Sequence, residues 1–245
     1  GRHISKHVFP LSFREFLRFK GVEIKNELDI LKNRAKIKKL FEEFMEWGGF
    51  PEVTLVKSDV KRRELLSSYL NDILTKDVAS RFRIKDVHNL EKIANYLLSN
   101  ISSKFNIRKA SRALGLPHST VHRYFYFISM ADLLLSIKRL SYKAKEIERS
   151  FRKVYTVDIG FHTKLSARFS RNLGRILENI VFLHLARFYE PNRELFYYRT
   201  KSGKEVDFVI VKDGKIEKLI EVSVEGDEEH EKKLSKAGEE LKCKN

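Results

Sequence analysis

Apolar positions over residues 1–75 recur close to every 3.6 residues, the spacing of helices with one buried face. In "PLSFREFLRFKG", Leu11, Phe13, Phe16, Leu17 and Phe19 cluster in one short amphipathic segment. Ser12 and Glu15 have capping-box spacing and Gly21 marks a stop. "IKKLFEEFMEWGGFPEV" and "RRELLSSYLNDILTKDVASRF" keep the same period, and Gly48-Gly49 with Pro51 break the first of them. Three more helices are predicted in "VHNLEKIANYLLSNI", "NIRKASRALGL" and "HSTVHRYFYFISMA". Asn106 caps the second, Gly115 ends it, and Pro117 introduces the third, which places Val121, Tyr124, Phe125 and Ile128 on one stripe. "LLLSIKRLS" and "RKVYTVD" then read as strands.

Three helices followed by a β-ribbon, with a glycine turn between the second and third helices, is the order of a winged helix-turn-helix. The chain continues with an apolar helix, "LGRILENIVFLHLARFYE", a strand, "LFYYRT", a hairpin, "KEVDFVIVKDGKIEKLIEVSVE", and a polar helix from "DEEHEKKLSKAGEELK".

The hairpin poses a question of parity. A two-residue loop, Asp213-Gly214, sends Asp207 and Glu221 to opposite sides and leaves both faces mixed. A three-residue loop, Lys212-Asp213-Gly214, gathers Val206, Phe208, Ile210, Ile220 and Val222 on one face, with Glu205, Asp207, Glu221 and Ser223 on the other. The binary pattern favours the odd loop, closed as a type I turn with a glycine bulge. Leu219, Val209 and Val211 share the acidic surface, so the preceding helix, carrying Glu178 on its apolar stripe, is expected to cover it. A carboxylate on such a stripe needs a partner or a cation; a helix N-terminus is the other account of Glu178.

Charge changes the picture next. The formal charge is +16, an excess that draws polyanions. Abundant Lys, Arg and Glu with no glutamine suit a thermophile, but thermal adaptation does not explain an excess of one sign. Between Lys104 and Lys153 the acids are only Asp132, Glu146 and Glu148. Expected DNA contacts are Lys104, Arg108, Lys109, Arg112, His118, Ser119, Thr120, His122, Arg123, Lys138 and Arg139, with double-stranded DNA the partner. Winged helices also dock proteins, and Tyr126 and Phe127 lie off the core stripe. His118 and His122 have the spacing of a metal pair without a third ligand. One cysteine, Cys243, excludes an internal disulfide and a cysteine-based zinc site. No apolar run is long enough to span a bilayer, and a cytoplasmic protein is expected. No GxxxxGK[ST] occurs, so this chain is not expected to hydrolyse ATP alone.

Helix Glu178, strand Asp207 and strand Glu221 resemble the acidic set of the PD-(D/E)XK, restriction-endonuclease-like superfamily. More of the chain resembles the C-terminal portion of an archaeal and bacterial AAA-type P-loop ATPase family. The residues that carry this are "GRHISKHVFPLSFREFL", "EWGGFPEV", "KVYTVDIGF", "GRILENIVFLHL" and "EVDFV…LIEVS". The resemblance implies a motor domain directly before Gly1-Arg2, ATP bound only there, and catalytic Glu178, Asp207 and Glu221, with Asp207 and Glu221 holding Mg²⁺ or Mn²⁺. It also implies an α+β chain: a helical lid or linker over 1–87, a winged helix over 88–157, and a nuclease-like domain over 158–245, a mixed sheet flanked by helices whose last strand lies beyond the chain. One departure weakens the catalytic expectation. The superfamily's Glu-x-Lys is here Glu221-Val222-Ser223, and serine supplies no positive charge; Lys201, Lys204, Lys232 and Lys233 are the nearby substitutes. The alternative is a non-catalytic docking or regulatory module of the ATPase.

Overall fold

Caps and glycines set the element boundaries. In the computed structural model, which describes residues 7–165, 172–226, 228–241 and 243, helix α1 (Phe13–Phe19) opens with the capping box of Ser12 and Glu15. Helices α2 (Glu27–Lys32) and α3 (Arg34–Trp47) follow, and Gly48 ends α3 at φ +76°. Pro51 opens the short α4 (Pro51–Leu55), and α5 (Asp59–Asp72) runs on into a π-helical stretch, Ile73–Ser80.

The next region contains α6 (Val87–Ser99), β1 (Ser103–Phe105), α7 (Ile107–Leu114), α8 (His118–Met130), β2 (Leu134–Ile137), α9 (Ala144–Arg149) and β3 (Arg152–Thr156). Asn106 caps α7 by accepting from the Lys109 N–H, and Gly115 takes the left-handed conformation that turns the chain into α8. The strands form an antiparallel sheet in the order β1–β3–β2. β1 was not expected from the pattern; three residues are too few to show alternation. Val121, Tyr124, Phe125 and Ile128 are buried as the stripe requires, in a core that also takes Leu66 and Val78 from the N-terminal helices.

Helix α10 (Ile159–Leu165) and helix α11 (Leu173–Leu185) lead to a second antiparallel sheet, β4 (Leu195–Arg199), β5 (Glu205–Lys212) and β6 (Lys215–Ile220), ordered β4–β5–β6, followed by α12 (Glu228–Leu241). Among the described residues this makes twelve α-helices and two three-stranded antiparallel sheets, a mixed α+β chain. No helix among them is long and apolar enough to cross a membrane. The sheets are joined: Leu140 N–H donates to Tyr197 O at 2.7 Å and Tyr197 N–H to Lys138 O at 3.2 Å, just beyond β2.

The hairpin corrects two expectations. Its turn has two residues, since Lys212 pairs with Lys215, and Asp213 and Gly214 both have positive φ. Such a turn matches the strand twist better than the longer loop. Parity then flips because Glu217 bulges: Val211 pairs with Ile216, but Ile210 pairs with Lys218. Beyond the bulge Phe208 faces Ile220, which brings Asp207 opposite Glu221 where β6 ends. The coverings are also exchanged. Helix α11 lies on the Phe208 and Ile210 face, with Phe182 and Tyr155 stacked at 3.9 Å beside it. Val209, Val211 and Leu219 are covered by Leu234, Ala237 and Leu241 of α12.

Candidate functional site

A second bulge sets the direction of the acidic side chains. Phe196 pairs with Val209 and Tyr198 with Val206, so Asp207 and Phe208 together span the place opposite Tyr197. Asp207 is thereby turned toward β3, where Lys153 and Tyr155 lie on one face. The Lys153 ammonium is 2.8 Å from Glu178 Oε1, 2.9 Å from Glu205 Oε1 and 3.0 Å from Asp207 Oδ1, and the lysine side chain is only 2 % exposed. Tyr155 Oη donates to Glu178 Oε1 at 2.8 Å. Asp207 Oδ2 accepts from the Val222 N–H at 3.0 Å. Lys104 adds a second cation, 2.8 Å from Glu205 Oε2. Glu221 is neighbour to this group but is gripped from α12, its Oε1 meeting Lys233 and, at 3.3 Å, His230.

The electrostatics follow from unequal burial. Burial opposes the Lys153 charge, yet Glu178, Asp207 and Glu205 outweigh it and lift its pKa well above the ordinary lysine range. Burial pushes Glu178 up to about 7 against the pull of Lys153, and the Asp207 charge adds to the rise. Glu205 falls below its ordinary value: burial raises it, but Lys153 and Lys104 outweigh that. Two ammonium groups serve three carboxylates, and the deepest carboxylate is the one whose charge is disfavoured. Glu221 is also raised, by burial first, with the Asp207 charge adding to it.

These donors do not fit a resident divalent cation. Mg²⁺ or Mn²⁺ needs several free oxygens around one point. Here one oxygen each of Glu178, Glu205 and Asp207 converges on an ammonium instead, and the second Asp207 oxygen accepts a backbone N–H. Among the described residues Glu221 Oε2 and Glu205 Oε2 are buried oxygens without a well-aligned hydrogen-bond donor, and Lys104 lies 2.8 Å from the second, which leaves Glu221 Oε2 the more open to a ligand. No group of three or more His, Cys, Asp or Glu side chains is arranged to hold a metal among the described residues.

The expected DNA-contacting residues divide. Lys104 is drawn into the carboxylate group. Lys138 and Arg139 lie at the seam between the sheets, where Arg139 Nη2 donates to Arg199 O at 3.0 Å. Arg108, Lys109, Arg112, His118, Ser119, His122 and Arg123 stay together and exposed around α7 and α8, with Thr120 half-buried. Of the two off-stripe aromatics, Phe127 is covered by Phe82, stacked at 4.0 Å, and Tyr126 is 55 % exposed. Of the candidate substitutes for the missing lysine, Lys233 reaches Glu221, Lys232 pairs with Glu228, and Lys204 pairs with Glu229.

Sequence pattern shows Lys153 only as the end of a basic run, without a role of its own. The available signal was alternation: Lys153 shares its face of "RKVYTVD" with Tyr155, and a lysine inside so apolar a strand implies buried acids. "EWGGFPEV" and "KVYTVDIGF" also prove to be one structural unit. Asp158 is buried and accepts from Gly49 N–H at 2.7 Å and Gly160 N–H at 2.8 Å; burial lifts its pKa to about 7 against those bonds. A Cβ at Gly48 would lie 1.7 Å from Asp158 Oδ1, so only glycine fits there.

An uncharacterized protein of Methanocaldococcus jannaschii is 35 % identical over 98 % of this chain and 54 % of its own length. An uncharacterized protein of Haemophilus influenzae is 30 % identical over 76 % of this chain and 46 % of its own. The chain thus spans about half the length of the curated relatives it matches. No solved structure matches it. The opening Gly1-Arg2, where a preceding motor was expected to join, lies outside the described residues. Residues 173–245, which carry Glu178, Asp207 and Glu221, match the domain of unknown function DUF4143, and residues 38–172, which carry the basic face and Lys153, match the domain of unknown function DUF8612, the family to which this chain belongs.

Proposed function

We propose that this chain is the DNA-binding, nuclease-like C-terminal part of a P-loop ATPase, and that its carboxylate group is kept closed by Lys153, so that it holds duplex DNA without cutting it. Several features support the reading. Helices α6, α7 and α8 with the β1–β3–β2 sheet follow the order of a winged helix, and α8 is the element that would enter a major groove. An α-helix, a three-stranded antiparallel sheet and a second helix follow the order of a restriction-endonuclease-like core. The motor itself rests on the family resemblance alone, and any use of ATP belongs to that missing domain.

The observation that carries the conclusion is the Lys153 ammonium seated among Glu178, Glu205 and Asp207. It supplies, from within the chain, the positive charge that a metal would bring. Arg108, Lys109, Arg112 and Arg123 would meet phosphates; His118, Ser119 and His122 at the start of α8 would meet base edges or sugar. A cutting reading keeps one supporting feature, Glu221 Oε2, a buried oxygen without a well-aligned donor among the described residues.

The test has two arms. Fluorescence anisotropy with random-sequence duplex is expected to show affinity falling steeply with salt, with a logarithmic slope of about 0.9 per phosphate contacted. Incubation of the same duplex with Mn²⁺ is expected to leave it intact. A flat salt dependence would remove the DNA reading. Cleavage lost on Asp207→Asn would replace the closed site with an active one.

A further inference from the structure

Beside the basic face lies a cleft of about 670 Å³, between α8, the start of α7 and the residues entering β3. Its volume is in the range of small-ligand sites. Its floor is aromatic: Phe105 and Phe125 have ring centroids 4.7 Å apart. Its rim is aromatic too and open to solvent, with Tyr126 55 % and Phe151 49 % exposed. Arg108 and Arg152 flank it, and no carboxylate lines it among the described residues. A second, shallower depression, lined by Arg108, Ser111, Arg112 and His118, shares Arg108 and His118 with the cleft. Neither Arg108 nor Arg152 has an acidic partner among the described residues.

Duplex binding does not account for this arrangement. A paired base cannot reach an aromatic floor, because both its faces are already stacked on neighbours. An unpaired nucleotide can. Its base offers a π-face to Tyr126 or Phe151, and its phosphate suits the basic depression next door. A groove for an apolar protein segment would need no cluster of arginines at its mouth.

We propose that this cleft binds an unpaired nucleotide of a single-stranded extension, so that the chain recognises a junction between duplex and single strand rather than uninterrupted duplex. The base stacks against Tyr126 and Phe151, and the adjoining phosphate sits with Arg108 and Arg112. The proposal rests on the DNA-binding reading above and narrows its substrate. Tyr126 and Phe151 act only on the unpaired part; Arg108, Lys109, Arg112 and Arg123 act on both.

Anisotropy on the whole chain tests it with two probes, a blunt duplex and the same duplex carrying a single-stranded overhang. The native protein is expected to bind the overhanging probe about tenfold more tightly or better, the magnitude of one or two stacked bases. Tyr126→Ala combined with Phe151→Ala is expected to abolish that preference and leave blunt-duplex affinity unchanged; both side chains are exposed, and a matching melting temperature checks the fold. A 2-aminopurine in the overhang should be quenched by the native protein and not by the double variant. Equal affinity for both probes, or a preference that survives the double substitution, overturns the proposal while leaving duplex binding intact. Failure to bind either probe overturns both readings together.

Discussion

Two charged regions of this protein differ in one physical respect, whether their charges are answered from within. Around Lys153, two ammonium groups and three carboxylates satisfy one another, and Lys233 and His230 hold the neighbouring Glu221. Around α7 and α8, Arg108, Lys109, Arg112 and Arg123 are exposed and have no carboxylate partner among the described residues. Buried charges must be paired or they destabilise the fold. Exposed, clustered charges of one sign repel each other and persist where a partner of opposite sign relieves them. The first region therefore reads as structure, and the second keeps the unanswered charge that the proposed DNA contact requires.

The sharpest way to break this contrast is to remove the ammonium. Lys153→Met should cost about 3–5 kcal/mol of stability, because it leaves three carboxylates facing one another out of water. Urea denaturation measures it. Adding Glu178→Gln should recover part of the loss by removing the most buried of those charges. If Lys153→Met were as stable as the native chain, the closed-site account would fail.

A smaller effect appears in pH dependence. Glu178 is lifted to about 7 in the folded chain, while in the unfolded chain it keeps the ordinary glutamate value near 4.5. Between those values the folded state holds a proton that the unfolded state releases. Stability from this group is therefore full below about 4.5, falls as pH rises, and levels off above about 7. Asp158 acts in the same sense, so the contribution of Glu178 is read as a difference. Glu178→Gln should flatten the stability–pH curve over that window by on the order of 1–3 kcal/mol. Glu205, whose pKa is lowered, works the other way and loses its contribution as pH falls below the ordinary carboxylate range.

The smallest effect separates the two regions by salt. Arg112→Ala should weaken duplex binding and reduce the salt slope by about 1, since it removes one phosphate contact. Lys104→Ala should leave the slope unchanged, because Lys104 is engaged with Glu205. It should instead cost at most about 1 kcal/mol of stability, its ion pair being partly exposed. Equal slopes for the two variants would erase the distinction between an open and a closed face.

How much of this could be read from the residues depends on the range of the interaction. The Ser12 and Glu15 capping box, the Asn106 cap, the Gly115 turn and the buried stripe of α8 were all legible, because each depends on neighbours within a few residues. The companionship of Asp207 and Glu221 was also legible as a parity argument, but for a different cause. A bulge at Glu217 does what a longer turn was expected to do, and hydrophobic alternation cannot distinguish the two. Which helix covers which face was misjudged, since α11 and α12 are both amphipathic and either could cover it. The partner of Glu178 was hidden because Lys153 comes from the other sheet, and its charge looked like part of a long basic run.

The central claim is that Lys153 stands where a divalent cation would otherwise sit. Manganese binding followed by electron paramagnetic resonance tests it most directly, with Lys153→Ala and Asp207→Asn beside the native chain. The account predicts that the native chain leaves Mn²⁺ free in solution, and that Lys153→Ala gains a bound ion. Native binding of Mn²⁺ that disappears with Asp207→Asn would contradict it.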